Sequence, residues 1–307
     1  MRFPDYPSTP HRFQVRPGIE MSYLDEGPRD GEVVVMVHGN PSWSYYWRHL
    51  VNGLSDPASD KRYRCIVPDH VGMGLSDKPD DAPKALPRYD YTLQSRVEDL
   101  GALLEHLGID GPVTLAVHDW GGMIGFGWAL SHQAQVQRLV ILNTAAFPMP
   151  EGKTVPWQLA LGRDYNVGEM VIRGFNAFSG GAARFGVARK MPPEVRRAYV
   201  APYDNWKNRI STVRFMQDIP LSPKDKAWPL LEESGRRLHE YAGLPAFIGW
   251  GLKDFVFDHL FLERFKTDLP NAEVMAFDDG AHYVLEDKHE VLVPAIRRFL
   301  DANPLPA

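Results

Sequence analysis

The chain has 307 residues, 44% hydrophobic and 24% charged, enough for one large α/β domain or a core with an inserted subdomain and too apolar for a disordered chain. A net charge of −5 without any basic block excludes nucleic acid as a natural partner. No uncharged run approaches the roughly 20 residues needed to cross a bilayer, residues 1–7 lack the apolar core of a secretory signal, and the single Cys65 excludes an intrachain disulfide, so a cytoplasmic protein with a core thiol is expected.

In chain order, residues 12–16 and 20–25 alternate in polarity about Pro17-Gly18 and predict an antiparallel hairpin at a sheet edge. Val33-Val-Val-Met-Val37 is apolar on both faces, which suits a central parallel strand, and it ends at His38-Gly39-Asn40-Pro41. Arg64-Cys-Ile-Val67 repeats the pattern and ends at Pro68-Asp69. Gly72-Met-Gly-Leu-Ser76 lacks the lysine and spacing of a phosphate loop and reads as a turn. Val97, Leu100, Leu104 and Leu107 form one helical face that Gly108 terminates. A strand over 113–117 runs into His118-Asp119-Trp120-Gly121-Gly122, followed by a helix over 120–132 and a strand over 136–142.

Between about 146 and 228 the alternation stops. This stretch is rich in Pro, Gly and aromatics, among them Trp157, Tyr165, Phe178, Tyr199 and Tyr203, and offers no buried strand. It predicts a helical cap, residues 146–228, inserted between a first core segment (1–145) and a second (229–307), over the carboxyl ends of the strands where open α/β sheets bind ligands. Strands over 245–250 and 273–277 and a helix over 291–300 complete a doubly wound, mostly parallel sheet.

The chemistry gathers at strand ends. Residues 117–122 have the form of a nucleophile elbow, with Asp119 where serine usually stands. A carboxylate attacking an ordinary ester or amide would form a reactive anhydride, whereas at a saturated carbon with a leaving group, or at a strained ring, it forms an alkyl ester. Asp119 also precedes a helix and has a competing reading as an N-cap. Asp254 follows the strand at 245–250 and His282 follows the last strand, so the order nucleophile, acid, histidine is that of an α/β-hydrolase triad. Asp258, Asp278 and Asp279 compete with Asp254 for the acid position. The backbone N–H groups of Asn40 and Trp120 are placed for an oxyanion hole. Their side chains are neutral N–H donors suited to a small departing anion.

Those segments, with His38-Gly-Asn-Pro-Ser-Trp-Ser-Tyr-Tyr-Trp-Arg48 and Pro68-Asp-His-Val-Gly-Met-Gly-Leu-Ser-Asp77, resemble the haloalkane dehalogenase branch of the α/β-hydrolase superfamily over almost the whole chain. The Asn–Trp pair with a late acid is similar to the third dehalogenase subfamily. The loop at 69–79 and the cap stretches at 202–209 and 217–220 look closest to the β-lactone decarboxylases of bacterial long-chain olefin synthesis. The resemblance implies an α/β-hydrolase fold with a cap. It makes Asp119, His282 and Asp254 the catalytic triad and Asn40 and Trp120 the leaving-group pair. Asn143, directly after the strand ending at Leu142, is uncharged, which leaves no acid at the second site used by the family that the chain resembles. No cofactor or metal is implied.

Two activities follow from that resemblance. One is decarboxylation of a cis-β-lactone with two alkyl chains to a cis-olefin and CO2. The other is hydrolysis of a carbon–halogen bond through an alkyl-Asp119 ester, with His282 activating water. Partners implied are an apolar small molecule and, in the olefin pathway, a β-lactone synthetase and a reductase. Epoxide hydrolysis is a weaker fit, since it needs cap tyrosines, for which Tyr165, Tyr199 and Tyr203 are the candidates. A non-catalytic ligand-binding role is the remaining class.

Overall fold

A computed structural model describes residues 3–6, 9–59 and 62–306 of the protein; residues 1, 2 and 7 of the stretch read above for a signal lie outside the described residues. Eight strands form one sheet: β1 (His11–Arg16), β2 (Ile19–Glu26), β3 (Val33–Val37), β4 (Arg64–Pro68), β5 (Val113–Asp119), β6 (Val136–Thr144), β7 (Ala246–Gly251) and β8 (Glu273–Phe277). Their spatial order is β1-β2-β4-β3-β5-β6-β7-β8. β2 runs antiparallel to β1 and β4, and the other neighbours are parallel. The edge hairpin and the central runs are therefore as the sequence predicts. β5 and β6 extend beyond their apolar runs, to Asp119 and Thr144, which brings polar residues to the carboxyl edge.

The period of two explains why the central strands are apolar throughout. Val35, Val37, Leu115, Val117 and Ile141 face one core, with helices α2 (Leu93–His106) and α3 (Trp120–Ala129). Val34, Met36, Ala116, Val140 and Leu142 face the other, packed under α1 (Arg48–Ser55) and α11 (Val284–Ala302). Both faces are covered, so each residue in turn is buried. Cys65 is buried in β4, and burial raises its thiol pKa, in line with a core role. The glycine loop at 72–76 is a turn, with Gly72 and Gly74 at positive φ.

From 146 to 228 the described residues hold no strand. They form α4 (Trp157–Asp164), α5 (Asn166–Phe175), α6 (Ala177–Phe185), α7 (Pro193–Val200) and α8 (Ile210–Gln217) before α9 (Trp228–Arg237) opens. α10 (His259–Asp268) lies between β7 and β8. The helix expected over 291–300 is only the second half of α11, whose first turn begins at Val284, directly after His282-Tyr283. The helix expected over 120–132 closes at Ala129. No helix among the described residues is long and apolar enough to cross a membrane.

Candidate active site

β5 delivers Asp119 into a tight strand-to-helix turn at φ 54° and ψ −127°, a conformation that non-glycine residues rarely adopt. The turn closes because its neighbours lack side chains. A β-carbon at Gly121 would run into the Val37 carbonyl, and one at Gly39 would overlap the Asp119 carboxylate. Thr144 at the end of β6 holds the turn from beneath, its hydroxyl donating to the Asp119 carbonyl and accepting from Gly122 N–H at 3.1 Å. The Asp119 side chain makes no capping bond to α3, so the N-cap reading fails.

One carboxylate oxygen, Oδ1, accepts the Asn40 backbone N–H at 2.6 Å, and the Trp120 backbone N–H also supports the carboxylate. The other, Oδ2, faces His282 Nε2 at 3.6 Å. On the far side of the imidazole, Nδ1 lies 2.8 Å from Asp254 Oδ2. Asp254 is itself held by the N–H groups of Val256 (2.8 Å) and Phe257 (3.2 Å) and by Asn143 Nδ2 at 3.1 Å. Two of its rivals are engaged elsewhere. Asp258 caps α10 and pairs with Lys153, and Asp279 pairs with Lys288 on the surface.

Burial pushes the Asp119 pKa up to about 6, against the opposing pull of His282 and the two backbone N–H groups. Burial alone would lower that of His282, but the Asp254 carboxylate, its hydrogen bond and Asp119 together leave it raised. The two groups face one cavity, and each feels the charge of the other.

That cavity measures about 640 Å³ and is walled almost entirely by apolar side chains. Asp119, His282, Asn40 and Trp120 lie in its lining, with Phe147, Phe257 and Phe261 on the core side and Phe178, Gly181 and Phe185 of α6 opposite. All five residues singled out in the sequence are therefore gathered, four on the cavity wall and Asp254 behind His282. Asn40 departs from expectation in one respect. Its Nδ2 donates to the Thr212 carbonyl of α8 at 3.0 Å, and its Oδ1 is buried without a hydrogen-bond partner among the described residues. One amide N–H is thus taken by the helix that packs over it, and one remains. None of Tyr165, Tyr199 and Tyr203 reaches the cavity wall. Tyr199 is bonded to Glu286, Tyr203 lies against Ser42, and Tyr165 is largely exposed.

Sequence reasoning missed the supports. His118, beside Asp119, has its Nε2 2.9 Å from the His282 carbonyl and its ring stacked on Tyr46. Burial holds it far below the usual histidine range, so it is neutral and its Nε2–H donates to that carbonyl. The one signal was position: in an alternating strand, the residue before an edge nucleophile must point to the other face. Among the described residues no cluster of His, Cys, Asp or Glu is placed to hold a metal ion.

Comparison with known proteins agrees with this geometry. A family model for the alpha/beta hydrolase fold matches residues 32–289. A cis-3-alkyl-4-alkyloxetan-2-one decarboxylase of Xanthomonas campestris pv. campestris is 73% identical over 99% of this chain and 100% of its own. A haloalkane dehalogenase of Mycolicibacterium paratuberculosis is 31% identical over 95% of this chain and 92% of its own. The crystal structure of the haloalkane dehalogenase DbeA from Bradyrhizobium elkani superposes with a TM-score of 0.82 at 26% identity, covering 96% of this chain and 98% of that one. The chain belongs to the alpha/beta hydrolase fold family, within the group that joins the haloalkane dehalogenases to the cis-3-alkyl-4-alkyloxetan-2-one decarboxylases.

Proposed function

We propose that the protein is a cis-3-alkyl-4-alkyloxetan-2-one decarboxylase that uses Asp119 as its nucleophile and releases a cis-olefin and CO2. The observation that carries this reading is an aspartate, in place of serine, on a nucleophile elbow beneath a large apolar cavity. The full-length likeness to a decarboxylase of that name supports the choice of substrate.

Oδ1 is held by backbone N–H groups, so Oδ2 is the attacking atom. Attack at the saturated ring carbon C4 breaks the C4–O bond, forms an alkyl ester and frees the ring carboxylate. Attack at the carbonyl would give an anhydride, which the strained ring makes unnecessary. The C3–carboxylate bond then breaks. Its electron pair forms the C3=C4 double bond, CO2 departs, and the C4–Oδ2 bond returns its pair to Asp119. Inversion at C4 followed by anti elimination preserves the cis arrangement. The cycle consumes no water, in keeping with walls that exclude it. The Trp120 indole and the remaining Asn40 amide N–H are the donors for the freed carboxylate. His282, with its proton on Nδ1 toward Asp254, keeps a neutral edge toward Asp119 or, when protonated, a charge that steadies the departing anion.

In this reading residues 146–228 act as the cap and supply the wall that receives one alkyl chain, while the core segments 1–145 and 229–307 carry the reacting groups. A volume of about 640 Å³ suits an extended apolar ligand. The same five residues would also serve dehalogenation, with His282 activating water against an alkyl-Asp119 ester. Purified protein offered a cis-3,4-dialkyl β-lactone and, separately, a bromoalkane separates the two. Alkene formation with little bromide release is the expected outcome, and bromide release without alkene would overturn the proposal.

A further inference from the structure

The first turn of α11 carries two adjacent carboxylates that the chemistry above does not use, Glu286, whose side chain is nearly buried, and Asp287, which is buried. Asp287 is 1% exposed, and three backbone N–H groups converge on its carboxylate. Two belong to the loop between α6 and α7: Ala188 N–H, shared between both oxygens at 3.0 and 2.9 Å, and Arg189 N–H at 2.8 Å. The third is Ala281 N–H at 2.9 Å, on the residue next to His282. Tyr283 N–H, on the other side of His282, donates to the Gly186 carbonyl of the same loop at 2.7 Å. The histidine is therefore bracketed on both sides by bonds that lead to residues 186–189. Gly186 and Phe185 at that end of α6 also line the cavity.

We propose that Asp287 is a positioning residue that locks the α6–α7 loop to the His282 loop, so that the cavity wall and the catalytic histidine are placed by one carboxylate. The inference rests on His282 acting in the reaction, as proposed above. A carboxylate is the right group because it offers two acceptor oxygens and no donor to three convergent N–H groups. Carboxamide at the same place turns one acceptor into a donor facing an N–H. The loop or Ala281 then loses its partner, and His282 loses one of its two brackets. Glu286 gives the contrast. Its carboxylate also binds the helical insertion, through the Tyr199 hydroxyl of α7, but its other partner is the Arg48 guanidinium of α1 rather than a backbone N–H of a residue flanking His282.

The experiment compares D287N, R189P and Y199F with wild type in three measurements: kcat and KM on whichever substrate the protein turns over, thermal stability, and the low-field proton resonance of the His282 Nδ1–H bonded to Asp254. D287N is expected to lower kcat about 10-fold to 100-fold with little change in KM, the penalty of misplacing a reacting group, and to weaken the resonance. R189P deletes one donor from the loop side without touching the carboxylate, and is expected to act in the same direction more weakly. Y199F is expected to leave kcat and the resonance unchanged. If D287N loses stability but keeps wild-type kcat and resonance, the proposal is overturned. If D287N fails to fold, wild-type values in R189P overturn it instead. The resonance needs no substrate, so a protein that turns over neither a lactone nor a bromoalkane would refute the functional reading without deciding this one.

Discussion

Asp119 holds a charge where a protein least favours one. Burial raises its pKa to about 6 from the ordinary aspartate value of 3.8. A carboxyl whose folded pKa lies above its unfolded value binds protons more tightly when folded, so ionising it costs stability. That penalty is absent below pH 3.8, grows between 3.8 and about 6, and is fully present above about 6. D119N removes it. At pH 8 the variant is expected to be more stable by about 1–3 kcal/mol, with the margin closing as the pH falls toward 4, while turnover is abolished. Differential scanning calorimetry across that range checks both the sign and the window. In the wild type, kcat/KM is expected to rise as the pH increases through about 6, because the proposed nucleophile is the carboxylate form of Asp119. A flat profile there, with an unchanged substrate, would contradict the assignment. Asn143 offers a second test. Its Nδ2 lies 3.1 Å from Asp254 Oδ2, so N143D puts two buried carboxylates in contact. Activity is expected to fall at pH 8 and to recover partly at lower pH, where one of the pair takes a proton.

At the level of elements, β-runs such as Val33–Val37 were legible because both sheet faces are covered, leaving each position apolar. The elbow was legible because Gly121 and Gly39 answer a local steric demand that any nucleophile turn imposes. The role of Asp287 in the first turn of α11 was not, because it binds backbone groups nearly a hundred residues away, and a backbone N–H leaves no mark in sequence. The insertion was legible as aromatic-rich but not by face. Phe178 lines the cavity while Phe175, three residues earlier, is 84% exposed, and the intervening Asn176, at positive φ between α5 and α6, breaks the period that would have distinguished them. The junction of α1 with α11 supports a further prediction. Arg48 and Glu286 form a bidentate pair, both nearly buried. E286A strands the guanidinium, and chemical denaturation should show a loss of about 3–5 kcal/mol.

At the scale of the whole molecule, the sheet brings Asp119, Asp254 and His282 to one edge, the helical insertion closes an apolar space above them, and the three histidines at or just past the ends of β3, β4 and β5 are buried and unprotonated. His38, His70 and His118 all have pKa values depressed by burial, leaving His282 as the one raised by a carboxylate. In the proposed mechanism this arrangement supplies a nucleophile, an anion site and apolar walls. It also leaves a hydrolytic base in place, so the question of water is where the decarboxylase and dehalogenase readings part. A hydrolytic cycle sends water to the carbonyl carbon of the alkyl-Asp119 ester and leaves a water oxygen in the carboxylate. A decarboxylative cycle returns the original oxygens.

The decisive measurement is therefore multiple turnovers of a cis-3,4-dialkyl β-lactone in heavy-oxygen water, followed by mass spectrometry of the product and of the peptide containing Asp119. The account predicts cis-alkene and CO2 in equal amounts with an unlabelled Asp119. Label in Asp119 together with a hydroxy acid product would contradict it.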